Sequence, residues 1–461
     1  MMTSTDKDST DRSPHAVSRL HCIDALRGLV MVLMAIDHSR DFFGDLRIPT
    51  EDVASSSLAL FSTRWITHFC APTFVFLAGI SAWFVGERLD SRAKLSGFLL
   101  SRGVWLIVLE FTAVHFALSF GDPAVPRIFL VIAAIGTSMI FLGLLCYLPS
   151  WLVGIVGILI IATHNLLDGL RADSMGIWGP LWQLVHDGPA YLSGLNLEIG
   201  YPFLAWIGVI ATGFGFAPLL RLPKEKRWWM LVLIGSLITL LFVVLRFSDL
   251  YGDPRPWRQQ LADGLEKSVA LKAVQRESEQ EGESLTGVEL QSAYYSRAGS
   301  IDPTLSLSDE EIESLKRPST RHYVISFLAC AKYPPSLCFL MMTLGPAIVL
   351  LGLFDRLAAE NWFAQRLMVF GRVPLFFYLL HFVLLNAGAT LTYWLVKGVP
   401  IRVFPAVYGQ SPDSPLPSEF GFNGLWQVYV AWIVLLVVLY PLCWLYGLVK
   451  RRGKSVVWSY L

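Results

Sequence analysis

The chain has 461 residues, of which 54% are hydrophobic and 16% charged, with a mean hydropathy of +0.52. These values exclude a soluble globule with a large core and describe an all-α polytopic membrane protein, with the lipid bilayer as its first partner. A formal net charge of +1 gives no pull towards nucleic acid, and no such partner is expected.

The polar segment from Met1 to Arg19 precedes an apolar run that is too long for a signal-peptide core and has no small-residue cleavage site, so it reads as the lead into an uncleaved first span. Apolar runs of roughly 17 to 25 residues then predict about ten transmembrane helices, near 22–43, 66–86, 97–120, 127–147, 150–166, 200–220, 228–246, 333–354, 368–396 and 424–447. The basic clusters Arg12 and Arg19; Arg88, Arg92 and Lys94; Arg221, Lys224, Lys226 and Arg227; Arg356 and Arg366; and Lys450, Arg451, Arg452 and Lys454 all fall on one side of ten spans. The positive-inside rule makes that side, and both termini, cytoplasmic. Dropping or merging one span puts several clusters on the wrong side. The division expected is a tail 1–21, a first membrane part 22–246, an extracytoplasmic polar insertion 247–332, a second membrane part 333–448 and a tail 449–461, in a multi-pass protein of the cytoplasmic (inner) membrane. Trp178, Trp182, Trp257 and Trp426 fit an interfacial belt.

The first span carries Asp24, Arg27, Met31, Met34, His38 and Asp41 at steps of three and four, which is one helical face. Charge inside a membrane segment is costly unless it faces a bundle interior or a wet cavity, so this stripe is a candidate functional site. Asp24 and His38 are separated by roughly 21 Å along the axis, one end cytoplasmic and the other outward. Asp41, one turn on from His38, is close enough to orient its imidazole as a general base. The competing reading is an interfacial salt-bridge cluster of Asp37, Arg40 and Asp41 that ends the helix.

His68 lies near the same outer surface, just before Pro72, and could serve as base or stand as an ordinary interfacial histidine. Glu110 and His115 follow in the third span, where Glu110 should pair inside the bundle. The polar stretch from about Asp253 to Arg321 predicts one or two short amphipathic helices, with a capping box at Ser308 and Glu311, and disorder as the alternative for its middle. In the ninth span Tyr378 and His381 share a face, and Arg372 and Asn386 flank them. For His381, a satisfied buried histidine competes with a substrate or oxyanion role. Cys22, Cys70, Cys146, Cys330, Cys338 and Cys443 have no CxxC or ligand spacing, no histidine pair shows the zinc-helix spacing, and no metal is expected.

The succession IDALRGLVMVLMAIDHSRDFF, RWITHFCAPTFVFLAG, KYPPSLCFLMMTLGP and VFGRVPLFFYLLHF resembles bacterial membrane proteins grouped with heparan-alpha-glucosaminide N-acetyltransferase, within the transmembrane acyltransferase superfamily. The first block is also similar to the opening helix of O-antigen acetylases, where an aspartate and arginine begin the helix and a histidine closes it. That correspondence falls on Asp24, Arg27 and His38. The resemblance implies a ten-helix core that takes acyl-CoA, usually acetyl-CoA, from the cytoplasm and passes its acyl group to an extracytoplasmic acceptor, an amino sugar in the lysosomal relatives. One departure matters. In those relatives the catalytic histidine precedes a tryptophan before the second span, whereas SSSLALFSTRWITH has no histidine upstream of Trp65. The base must then be His38 or His68, or the acceptor chemistry differs.

On this reading Asp24, Arg27, Arg102 and Arg372 bind the phosphate-bearing nucleotide at the cytoplasmic face, the thin pantetheine arm threads the bundle, and Tyr378, His381 or Asn386 serves the acceptor or the oxyanion. A proton-coupled transporter or flippase would use the same polar residues without a covalent step.

Overall fold

The structure, a computed structural model, describes residues 20–285, 287–297, 301–357, 361–408, 420–422 and 424–452. Arg12, Arg19 and Lys454, on which part of the orientation reading rests, lie outside them.

Helix α1 (His21–Phe43) stands inside the bundle, packed against helices from both halves of the chain. Helix α2 (Leu58–Thr67) begins where the Ser57 side chain accepts from the Leu60 amide, and a kink at His68–Phe69 leads into α3 (Cys70–Gly86). The second span is therefore longer than its apolar run, Leu58–Gly86. Helix α4 (Arg92–Leu109) passes through one π turn at Glu110–Val114 into α5 (His115–Ser119), which ends at a left-handed Phe120. The strand β1 (Arg127–Phe129) precedes α6 (Val131–Leu145).

Glu110 has its partner here: its carboxylate accepts from the Ala133 amide at 2.9 Å and satisfies one of the free N–H groups that open α6. Next come α7 (Ser150–Thr163), α8 (Gly179–Val185), β2 (Ala190–Leu192), β3 (Leu197–Ile199), α9 (Leu204–Phe216) and α10 (Lys224–Ser248). The three short strands form one sheet in the order β1-β3-β2, a small exception to an otherwise helical chain.

The polar insertion is more helical than its sequence suggests. It holds α11 (Trp257–Gln280), α12 (Gly287–Ser296), α13 (Asp309–Leu315) and α14 (Thr320–Leu328). The charged stretch KAVQRESEQ is helix through Gln280 because Val269 and Ala273, one turn apart, close on Leu307 to make a core of their own. The Ser308–Glu311 capping box forms.

Arg246 at the end of α10 is buried and donates to the carbonyls of Ser326, Phe327 and Ala329, the last turn of α14, which ties the insertion to the bundle. Lys267 of α11 pairs with Asp52 at 2.9 Å, and Arg321 donates to the carbonyls of Ser56 and Ala54. The insertion thus grips the loop between α1 and α2.

Helix α15 (Leu337–Leu357) follows. The ninth span predicted as one helix is two, α16 (Trp362–Gly371) and α17 (Pro374–Lys397). Pro374 has no amide to continue the earlier helix, so the chain breaks at Arg372–Val373 and restarts with proline in the first turn. A short α18 (Val403–Tyr408) and the long α19 (Leu425–Arg452) complete the described residues.

Among these residues, eight helical stretches are long and apolar enough to cross a membrane. Helix α6 is apolar but has only 15 residues, and α1 is interrupted by charge. The large apolar side chains Leu233, Leu237 and Leu240 of α10 and Ile433, Val434 and Val437 of α19 are exposed, as a lipid-facing surface requires. Arg221 pairs with Glu87 at 2.7 Å and Arg227 with Asp355 at 2.7 Å. These contacts bring three of the basic clusters to one end of the bundle, the grouping that the charge pattern calls for.

Candidate functional site

The stripe on α1 is not turned to lipid. Gly28 sits against the backbone of α16, where a Cβ would come within 2.0 Å of the Leu367 carbonyl oxygen, and Gly371 sits equally close to the backbone at Asp24. Only glycine allows the two helices to approach this far. The contact carries Arg372 to within 3.8 Å of Asp24, whose other carboxylate oxygen lies 3.7 Å from Arg27. Arg27 donates to the Ser81 hydroxyl at 3.0 Å and to the Gly371 carbonyl at 3.3 Å. Asp24 and Arg27, one turn apart on α1, form one charged group with the sequence-distant Arg372.

Beyond Arg27 opens a cavity of about 330 Å³. Arg27, Met31 and Met34 of α1 line it, with Arg102 of α4 and Pro374 and Tyr378 of α17. Two guanidinium groups thus meet a mostly apolar cavity whose lining also includes Ser81. Its lining ends at Met34 and Tyr378, one helical turn short of His38 and His381.

The two imidazoles are joined there. His38 Nδ1 and His381 Nε2 are 2.5 Å apart, with the rings stacked at 4.8 Å between centroids. His381 Nδ1 lies 3.2 Å from the Phe377 carbonyl oxygen, to which it must donate. Its Nε2 is then an acceptor, and the proton in the shared bond belongs to His38 Nδ1. His38 Nε2 consequently carries a lone pair. His38 is half-buried whereas His381 is fully buried.

Asp41, expected to orient His38, pairs with Arg40 at 2.7 Å, and the hydrogen-bond partner of His38 Nδ1 is His381. Helix α17 meets α1 at the level of His38 and brings His381 to it. His381, with one nitrogen donating to a backbone carbonyl and the other accepting from His38, has no donor for an oxyanion. Asn386 is also committed. Its amide nitrogen donates to the Ala117 and Leu118 carbonyls at 2.9 and 2.7 Å, closing the end of α5. Tyr378, which lines the cavity with its ring 5.5 Å from His381, is the member of the predicted acceptor group at the channel.

Outside the histidine pair lies a charged layer that sequence reasoning left mostly unassigned. Arg64 places one nitrogen 2.6 Å from both oxygens of Asp37, and Arg40 reaches Asp37 at 3.1 Å. His68 is fully buried, edge-on to Phe339, with Nε2 3.1 Å from Glu51. Glu51, in the loop before α2, is held down to about 2: burial pushes its carboxyl up, but the close His68 and the charges of Arg64 and Arg255 outweigh it. Lys332 is nearly buried and lies over the Tyr333 ring at 5.1 Å. Burial raises the Tyr333 hydroxyl, but Lys332 and Arg64 more than offset it and lower it from the usual phenol range. Tyr333 donates to the Tyr201 hydroxyl at 3.4 Å. Lys332 and Tyr333 belong to the KYPP motif, whose lysine and tyrosine at the start of an apolar span were the available signal.

An arginine-flanked cavity within an apolar helical bundle, with a paired imidazole one helical turn beyond its lining, defines a multi-pass membrane protein with its polar site inside the bundle. Residues 19–246 match the family model described as heparan-alpha-glucosaminide N-acetyltransferase, catalytic, so just under half of the chain is similar to that family. No curated protein matches the chain. The matched segment supplies Asp24, Arg27, His38 and Arg102; Arg372, Tyr378 and His381 lie beyond it.

Proposed function

We propose that the protein transfers an acyl group, usually acetyl, from cytoplasmic acyl-CoA to an acceptor outside the inner membrane, an amino sugar or glycan, through ten spans that include α1 and α6. The observation that carries this reading is the His38–His381 pair, one helical turn beyond the lining of the arginine-flanked cavity. The phosphates of coenzyme A remain at Arg27, Arg102 and Arg372, where bidentate guanidinium contacts suit them. The pantetheine arm occupies the channel along Met31 and Met34, and the thioester lies near His38.

The acceptor nitrogen or oxygen attacks the thioester carbonyl carbon while His38 Nε2 takes its proton. The Tyr378 hydroxyl donates to the oxygen that becomes negative. The carbon–sulfur bond then breaks, and His38 returns the proton to the leaving sulfur, giving the amide or ester and free coenzyme A. His381 does not touch the substrate and keeps His38 in the reactive tautomer. His68, enclosed by Glu51 and Phe339, supports the charged layer instead of serving as base. Asp41, through Arg40, belongs to that layer.

The test is purified protein with labelled acetyl-CoA and a glucosamine acceptor. Thioester consumption with stoichiometric acetylated product, abolished by His38→Ala, supports transfer; solute flux in vesicles with no consumption would replace it with the transporter reading.

A further inference from the structure

The far end of α7 holds a second group of chemistry-bearing side chains that acyl transfer does not use. His164 and Asp168 are four residues apart where α7 tightens into a 3-10 turn (His164–Leu167), and His186 directly follows α8. One ligand atom from each of the three lies within 4.8 Å of the others. His186 Nε2 is 3.0 Å from an Asp168 oxygen, and the two imidazoles meet edge to face with centroids 5.6 Å apart.

Both histidines are 2% exposed, yet neither nitrogen of His164 has a hydrogen-bond partner, nor does His186 Nδ1. Buried nitrogens without partners are unfavourable, and a hydrogen bond between Asp168 and His186 alone leaves His164 unexplained.

We propose that His164, Asp168 and His186 bind a divalent transition-metal ion, with Zn²⁺ the best fit. Two imidazoles and one carboxylate are a donor set of borderline softness that suits zinc, with a fourth position left for water. Bonds of about 2.0–2.2 Å in a tetrahedral site put ligand atoms roughly 3.3–3.6 Å apart, so closure draws the three side chains together by about 1–1.5 Å.

The surroundings fit as well. Asn165 donates to the second Asp168 oxygen at 2.9 Å, the outer hydrogen bond that holds a ligating carboxylate in place. The same Asn165 accepts from the Leu337 amide at 2.9 Å, so the site is braced against the start of α15. The neighbouring cation, Arg171, is paired with Asp187 at 2.9 Å and leaves Asp168 to the metal. The ion ties the turn after α7 to the end of α8 on the face that the charge pattern puts outside. It stands apart from the residues assigned to acyl transfer.

Full-length protein carrying no histidine tag, stripped with a chelator and exchanged into metal-free detergent buffer, is titrated with Co²⁺ and followed by visible absorption. One Co²⁺ per chain with the d–d bands of a low-coordinate site is expected, bleached by one equivalent of Zn²⁺. His164→Gln and His186→Gln should abolish the bands, and the near-isosteric Asp168→Asn should weaken Co²⁺ binding at least tenfold while eluting as the parent does in size exclusion. A monodisperse parent protein that takes up no Co²⁺, or whose stoichiometry is unchanged in the His164→Gln and His186→Gln chains, would overturn the site.

Discussion

His381 accepts from His38 Nδ1 across 2.5 Å, and its own remaining nitrogen faces the Phe377 carbonyl. Two bonds in series, anchored on a backbone oxygen, determine which nitrogen of His38 is free to take a proton. Replacing His38 with alanine removes that acceptor, and acetyl-CoA turnover should fall by about 10²- to 10⁴-fold, the usual contribution of a positioned general base. His68→Ala should leave more than a tenth of the activity. The reverse ranking in initial rates would transfer the role of base to His68.

His381 offers a finer measurement. With alanine there, nothing selects the tautomer of His38, and kcat should fall by about tenfold or more while KM for acetyl-CoA changes little. Glutamine can present a carbonyl oxygen to His38 Nδ1, so His381→Gln should recover part of the loss. Equal defects in the two variants would make the histidine a packing residue only.

Arg102 lines the channel and is assigned a phosphate. Arg102→Ala should raise KM for acetyl-CoA by about tenfold, close to 1.4 kcal/mol, with kcat within a few fold. Dephospho-coenzyme A thioesters, which lack one phosphate, would distinguish the arginines if the penalty of the variant shrinks with them. An unchanged KM would remove Arg102 from the cofactor site.

The backbone contact between α1 and α16 predicts a stability effect. A methyl at Gly28 would lie 2.0 Å from the Leu367 carbonyl, so Gly28→Ala must separate the helices, at about 1–3 kcal/mol or more. Thermal melting in detergent should register several degrees of loss. Gly388 of α17 has open space around it, and Gly388→Ala serves as the control with no comparable loss.

Glu51 gives the pH dependence a sign. Its carboxyl lies at about 2 in the folded protein against an ordinary 4.5, so the stabilisation it provides is complete above 4.5 and fades as the pH falls towards 2. Melting temperatures of the parent should drop through that window, and those of Glu51→Gln should be flatter there while lower at neutral pH. Parallel curves for the two proteins would show that the pairing with His68 and Arg64 carries no stability.

Much of this arrangement can be read from the residues because period and polarity are local properties. The stripe Asp24, Arg27, Met31, Met34 follows from helical spacing, and the channel runs along it. Pairings between elements are not local. Nothing in the spacing of Asp41 reveals that α17 delivers His381 to His38 first, and nothing around Asn386 reveals that two carbonyls at the end of α5 lie in its reach. The break at Arg372–Val373 was available from Pro374, but the apolar run on either side of it outweighed a single residue. His164 and His186 lie 22 residues apart, across a turn and a short helix whose path no motif announces.

The polar insertion divides the chain between the helix that bears His38 and the helices that bear Arg372, Tyr378 and His381. Each piece holds half of the proposed reaction centre. On the proposed mechanism a gene split within that insertion would encode two inactive polypeptides, and turnover recovered from co-expressed halves would report the association of α1 with α16 and α17 in a shared bilayer.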